Sequence, residues 1–338
     1  LNDYFARLSL VLSQGRQENG WLILEPTTSL WLHYTNVSGG KPLWDIANDF
    51  QALLGALERG QMEYDLGCED IMADCGSVGR KCLRVGQTRY HTVVLPAKTE
   101  NLESRTFQLM RDFASSGGRI IALGLPDYVD GEESAELQAF MQSDAVIKMQ
   151  TPQEILSLYR QETDLLVQCP ENSHVYHYRC RYEDGQLLFL TNSSLTDETP
   201  VTVSMPGKYL YRLDAMTGRI YLQSKAEGGK LKVETKLFPA DSQLWFASDE
   251  KVLNAEAGND SPTDLKPLQT QDETEVNPLR PNVLNLDFCS MTVGDKHLQD
   301  VFYKEANSQL WRHFGKSDPW EAAVQYRRSI LERDSFPE

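Results

Sequence analysis

The sequence predicts an α/β domain built on a doubly wound parallel sheet, followed by an antiparallel β-sandwich. Three observations predict it. Short continuous apolar runs such as Trp21-Leu22-Ile23-Leu24 and Thr92-Val93-Val94-Leu95 read as strands buried on both faces. Amphipathic stretches at helical spacing alternate with those runs through the first 170 residues, which implies crossovers that cover both faces of the sheet. From Val175 the hydrophobic period changes to two, with turn signals spaced as in an all-β sandwich.

The elements follow in order. Asp3 can cap a helix that carries Leu8, Val11 and Leu12 on one stripe. The chain starts without Met and without a basic-then-apolar leader, so it reads as a piece of a longer polypeptide. Trp21–Leu24 is the first strand, closed by Pro26. Trp44 to Gly60 is a helix with Ile46, Phe50, Leu53, Leu54 and Leu57 on one face, and Gly60 ends it. Glu63–Leu66 is the second strand and Thr92–Leu95 the third. Leu102 to Ser115 is helical, with Phe107, Met110, Phe113 and Ala114 inward, and Gly117-Gly118 terminates it. Arg119–Gly124 is the fourth strand. A helix over Glu133 to Met141 follows, and a last one places Ile155, Leu156, Leu158 and Tyr159 between the first domain and the sandwich as an apolar interface. The architecture over 1–170 is flavodoxin-like, the class that class I amidotransferases share, and ligands in such sheets sit beyond the strand carboxyl ends.

The sandwich occupies 171–250. Val175–Tyr182 and Leu187–Leu190 flank the turn Glu183-Asp184-Gly185. Val201–Met205, Tyr209–Leu213, Arg219–Leu222, Leu231–Thr235 and Gln243–Phe246 complete its strands. Residues 251–281 change texture: acids outnumber lysines, and Pro262, Pro267, Pro278 and Pro281 interrupt any period, as in a linker or strap. Over 282–338, Val283–Phe288 restarts as a strand, with helices over Gln299 to Phe314 and Trp320 to Glu332. These elements bury too little to stand alone and open an incomplete further domain.

Composition excludes several classes of function. A formal net charge of −16 over 338 residues repels phosphate backbones and anionic membrane surfaces. No apolar run is long enough to span a bilayer as a helix. The six cysteines, Cys68, Cys75, Cys82, Cys169, Cys180 and Cys289, form no C-x-x-C pair and no zinc pattern with histidine, so free thiols are expected. His174 and His177 read as strand residues rather than as a metal pair.

Two enzyme readings of the first domain fail at the strand ends. A nucleotide or flavin site needs a glycine-rich turn opening a helix. The first turn holds Pro26 and no glycine, and no helix is expected to start at Thr27-Thr28-Ser29. A class I glutaminase needs a cysteine on the elbow after the third strand, and that elbow holds Pro96 and Ala97. No catalytic, cofactor or metal residue is therefore assigned, and no cofactor is expected. The substrate-binding candidates are Trp31, His33 and Tyr34, which follow the first strand on the ligand side of the sheet; aromatic rings stack on sugar faces while polar neighbours fix hydroxyls.

Several segments resemble one family. Asp3-Tyr4-Phe5-Ala6-Arg7-Leu8-Ser9, Leu24-Glu25-Pro26-Thr27-Thr28-Ser29-Leu30-Trp31, Tyr90–Pro96 and Gly117–Ile121 resemble the region after the catalytic barrel in large bacterial α-L-rhamnosidase-type glycoside hydrolases (glycoside hydrolase family 106). Leu284–Cys289 and Pro319–Gln325 resemble the start of that family's sugar-binding jelly roll, which is similar to that of family 2. The resemblance implies a parent enzyme acting on plant-type polysaccharide, periplasmic or extracellular. This piece is then an accessory scaffold whose partners are the barrel of the same polypeptide and carbohydrate. Two further readings stay open: a stand-alone carbohydrate-binding protein, and an independent α/β enzyme with an unrecognised site.

Overall fold

The computed structural model describes residues 2–35, 40–226, 230–252, 255–257 and 287–316. The chain divides into two units, Leu1–Asp264 and Leu265–Glu338.

The first unit opens with helix α1 (Asn2–Gln14), then strand β1 (Trp21–Leu24) and helices α2 (Thr27–His33) and α3 (Lys41–Arg59). Strand β2 (Asp65–Gly67) leads into α4 (Glu69–Cys75) and a three-stranded meander of β3 (Gly76–Gly79), β4 (Cys82–Val85) and β5 (Thr88–Tyr90). Then come β6 (Thr92–Leu95), β7 (Asn101–Leu102), α5 (Ser104–Ser115), β8 (Arg119–Ala122), β9 (Tyr128–Val129), β10 (Glu132–Glu133), α6 (Ala135–Gln142), β11 (Val146–Lys148) and α7 (Pro152–Glu162).

Five of these strands form one parallel sheet in the order β11-β8-β6-β1-β2. The strand period of two divides each apolar run between two cores. Leu22, Leu24, Val93, Leu95, Ile120 and Ala122 face Met72 of α4, Phe107, Met110 and Phe113 of α5, and Leu137 and Met141 of α6. Trp21, Ile23, Val94 and Ile121 face Leu53 and Leu57 of α3 and Ile155, Leu156 and Tyr159 of α7. Strands buried on both faces and helices on both sides are the expected architecture. β11 and the meander were not foreseen, because three- and four-residue strands carry too little periodicity.

One expectation is overturned at the first turn. A helix does start at Thr27, directly after Pro26. Its hydroxyls do not cap its own backbone. The buried Thr28 and Ser29 instead bond to Glu69 and to the backbone of residues 100 and 101. These tertiary bonds override the weak helix propensity of a Thr-Thr-Ser sequence.

The all-β part comprises β12 (Leu166–Gln168), β13 (Val175–Arg181), β14 (Gln186–Asn192), β15 (Thr199–Pro206), β16 (Tyr209–Leu213), β17 (Ile220–Lys225), β18 (Lys230–Leu237), β19 (Ser242–Ser248) and β20 (Glu256–Ala257). They make a three-stranded sheet, β12-β15-β18, and a six-stranded sheet, β13-β14-β19-β16-β17-β20. The two share a core of Val175, Leu188, Leu190, Val201, Val203, Met205, Leu210, Leu231 and Trp245. Helix α1 packs Leu8, Val11 and Leu12 against Cys180, Leu187 and Leu244 on the outer face of the larger sheet. Gly15 permits that approach: a Cβ there would lie 2.5 Å from the Cys180 Sγ. The backbones of Arg16 and Arg181 close the contact with two 2.8 Å hydrogen bonds.

In the second unit, β21 (Phe288–Val293) and β22 (Lys296–Phe302) form a hairpin that packs with α8 (Tyr303–His313). Residues 299–302 are strand rather than helix. Lys296 to Phe302 follows the tight turn at Gly294, where φ is +57°, and pairs across it before the helical period begins. The expected strand residues 283–286, the expected helix from Trp320 and most of the 251–281 stretch lie outside the described residues. Among the described residues, no helix is long and apolar enough to cross a membrane. All six cysteines are free thiols, Cys180 buried and Cys75 exposed.

Candidate functional site

Two places can be built from the residues upward. The first is the carboxyl edge of the parallel sheet, where ligands are expected. Trp31 is 61% exposed and Tyr34 66% exposed, both at the end of α2. His33 is part-buried, and its Nε2 lies 2.7 Å from the Glu100 Oε2. The elbow after β6 turns through Lys98, whose φ is +58°. A left-handed non-glycine residue is strained unless its surroundings hold it. Here the loop after β8 holds it: a Cβ on Gly124 would lie 2.6 Å from the Pro96 carbonyl and 2.9 Å from the Lys98 nitrogen. Lys98 Nζ pairs with Asp49 at 2.7 Å.

Beneath this edge Glu69 is only 4% exposed. It accepts from the Thr28 hydroxyl at 2.6 Å and from the Glu103 backbone N–H at 2.8 Å. Both oxygens are committed to structure. Burial, then the nearby charges of Glu69, Asp70 and Asp130, hold the Glu103 carboxyl above its ordinary value.

The second place is a cleft of ≈ 950 Å³ at the opposite, amino-terminal edge, where the α/β part meets the sandwich. Trp21 and Tyr159 lie in its floor, and the β4–β5 meander forms one wall. Its acids are bound to arginines. Arg179, on β13, is 8% exposed. Its Nε donates to the Glu63 Oε1 at 2.9 Å and its Nη2 to the Oε2 at 2.5 Å. Its Nη1 donates to the Asp164 Oδ1 at 2.5 Å. Arg181 donates to the Asp164 Oδ2 at 3.0 Å. Arg119 grips both Glu162 oxygens at 2.6 Å.

Burial alone would raise Glu63, but the neighbouring His177, 3.7 Å away, and the Arg179 charge more than offset it, and the carboxyl sits below its usual value. Asp164 behaves alike, its burial outweighed by Arg179 and Arg181. The Arg119 hydrogen bond lowers Glu162. Burial and the Glu63 charge push the Tyr159 phenol up to about 12. Burial and the Arg119 charge lower the His91 imidazole, which is neutral at physiological pH. The cleft thus holds ionised, paired carboxylates and neutral hydrogen-bonding groups. A general acid for glycosidic cleavage needs a raised carboxyl pKa, and Glu63, Asp164 and Glu162 are shifted the other way.

The expected apolar interface between the two parts is also overturned. Ile155, Leu156 and Tyr159 pack on the parallel sheet with Trp21 and Leu57. The junction is polar instead: the Glu63–Arg179–Asp164 chain, Gln61 Nε2 donating to the Val175 carbonyl at 2.8 Å, and His177 Nδ1 at 2.9 Å from the Gln61 Oε1. The Gln61 amide nitrogen faces two carbonyls, so its oxygen accepts from the His177 Nδ1.

Comparison with known proteins places the fold. No family model and no curated protein sequence matches the chain. A rhamnosidase from Novosphingobium sp. PP1Y superposes with a TM-score of 0.52 at 17% identity, over 77% of this chain and 25% of that enzyme. The chain has a glycoside hydrolase-like fold. A β-galactosidase from Bacillus circulans sp. alkalophilus matches with a TM-score of 0.49 at 9% identity, over 73% of this chain and 44% of that one. An exo-carrageenase of family GH42 from Bacteroides ovatus gives 0.45 at 13% identity, over 73% and 31%. The chain therefore spans about a quarter of the rhamnosidase it matches.

The sequence candidates Trp31 and His33 lie in the last turn of one short helix and Tyr34 is its C-cap, at the carboxyl edge, with His33 drawn toward Glu100. Sequence reasoning missed the cleft. Its groups come from 16–21, 63, 84–91, 159–164 and 179–181, segments with no common motif. The one available signal was the density of charge in Arg179-Cys180-Arg181 on an otherwise apolar strand. Among the described residues, no cluster of three or more histidine, cysteine or acidic side chains is disposed to hold a metal.

Proposed function

We propose that this chain is a non-catalytic accessory region of a glycoside hydrolase, a flavodoxin-like domain and a sandwich that support a catalytic barrel in the same polypeptide. The observation that carries the reading is the fold it shares with a minority portion of a rhamnosidase. The strand order, with β1 between β2 and β6, supports the flavodoxin-like assignment. The arginine-bound carboxylates of the cleft support the absence of hydrolytic chemistry there. The finer reading is family 106, with α-L-rhamnosides of plant-type polysaccharide as the parent's substrates and residues 282–338 opening a jelly roll.

The test is turnover of aryl glycosides, aryl α-L-rhamnoside included, by this chain. None is expected. Steady turnover abolished by Glu63→Gln or Glu103→Gln would overturn the proposal.

The exposed Trp31 and Tyr34 favour a second role within it, contact with carbohydrate at the carboxyl edge. In the full parent enzyme, Trp31→Ala should then raise KM or lower kcat severalfold with the melting temperature nearly unchanged. Lower stability with normal kinetics would assign these rings to packing against the barrel instead.

A further inference from the structure

The arginines of the cleft are not all accounted for by its acids. Arg179, Arg181 and Arg119 are paired with Glu63, Asp164, Glu162 and, at 3.5 Å, Glu18. Three others have no acidic partner among the described residues. Arg84 and Arg89 sit directly opposite each other on β4 and β5, and both line the cleft. Arg16 donates to the Gln87 carbonyl at 2.6 Å, which ties the end of α1 to the meander turn but leaves its charge uncompensated.

Like charges directly opposite on antiparallel strands, with Cβ atoms about 4.5–5.5 Å apart, are destabilising. In a chain of net charge −16, carboxylates to neutralise them are plentiful, yet those that line this cleft, Glu18, Glu63, Glu162 and Asp164, are paired with other arginines. Gln17 and His91 also line the cleft, and their side chains suit hydroxyl groups. Beyond about 8 Å at physiological salt the acidic remainder of the surface is largely screened, so the local pair sets the sign of the site. Two guanidiniums present parallel N–H donors matched to a planar or tetrahedral oxyanion.

We infer that this cleft binds an acidic saccharide, its carboxylate or sulfate held between Arg84 and Arg89 and its hydroxyls against Gln17 and His91. The saccharide part rests on the glycoside hydrolase reading; the anion part rests on the arginines alone. The site lies at the amino-terminal edge of the sheet, away from Trp31 and Tyr34.

Calorimetric titration of the chain with four probes tests this: a galacturonate oligomer, a sulfated galactose oligomer, a neutral galactose oligomer of equal length, and sodium sulfate. At least one acidic oligomer should bind ten-fold or more tighter than both the neutral oligomer and sulfate; which one distinguishes carboxylate from sulfate. The double variant Arg84→Gln/Arg89→Gln should weaken that binding at least ten-fold. Its melting temperature should hold or rise, because a repulsive pair is removed from an exposed hairpin. Absence of acidic-oligomer binding, equal affinity for free sulfate, or binding unchanged in the double variant would each overturn the inference. None of those outcomes bears on the scaffold reading, which fails only on turnover.

Discussion

Arg179→Met should destabilise the first unit by about 3–5 kcal/mol at neutral pH, the cost of leaving a buried charge without its partner. Glu63 is the charge left behind. Its side chain is 12% exposed, and its strongest contacts are the two Arg179 bonds. Asp164 is far more exposed and can turn to water, so its share of the loss is small. The pH dependence has a definite sign. Glu63 and Asp164 both sit below their ordinary values in the folded chain. The stability they contribute is present above the unfolded carboxylate range and is lost as pH falls through the folded values. Acid should therefore erode the parent more than the variant, and the gap between them should narrow. Urea denaturation at neutral pH and again in mild acid measures both effects. The double variant Glu63→Gln/Arg179→Met should recover part of the loss. A loss under about 1 kcal/mol, as for an exposed ion pair, would show that the junction is wet and not held by this network.

Trp21→Ala should cost about 3–5 kcal/mol, the range for removing a large buried aromatic. Trp21 is 2% exposed. Its ring meets Tyr159 and His91 edge-on at 6.0 and 6.1 Å, and the Arg119 guanidinium lies 5.0 Å from its centroid. The substitution opens a void between β1 and α7 and unseats Arg119, which grips Glu162 at the end of that helix. Amide exchange over Pro152–Glu162 should quicken beyond the global effect. Trp21→Phe, which keeps most of the volume, should lose markedly less. Stability within about 0.5 kcal/mol of the parent, as a surface change gives, would refute the packing assigned to this residue.

The legible part of the fold is the part with long periods. β1 and β6 are readable because each is an unbroken apolar run closed by a proline, and Leu53 and Leu57 on α3 and Phe107, Met110 and Phe113 on α5 because burial imposes one spacing over many residues. Val201, Val203 and Met205 gave the sandwich in the same way. The misread parts are governed by distant partners. Helix α2 starts at Thr27 because residues 69, 100 and 101 hold its hydroxyls, and nothing within 27–33 announces that. Ile155, Leu156 and Tyr159 were correctly read as an inward helix face, but which core receives them is a tertiary question. The site was less legible than the fold. Trp31, His33 and Tyr34 follow from a rule about strand ends. The opposition of Arg84 and Arg89 depends on a hairpin register that two short strands do not specify.

The docking of α1 on the sandwich has a consequence in time. Tyr4 lies 3.4 Å from the Ser242 hydroxyl, and Val11 accepts from the Tyr182 hydroxyl, so the earliest segment of the first unit waits for some of its latest. The separation between Tyr4 and Ser242 is 238 residues. At ribosomal rates of 5–20 residues per second, that is roughly 10–50 s of synthesis. During that interval the apolar stripe of Leu8, Val11 and Leu12 lacks the full surface that covers it, while the parallel sheet, complete by Lys148, can close both its cores once α7 has followed. The α/β part is thus free to fold on the ribosome with α1 still loose, and α1 then acts as a latch that fastens once β19 has emerged.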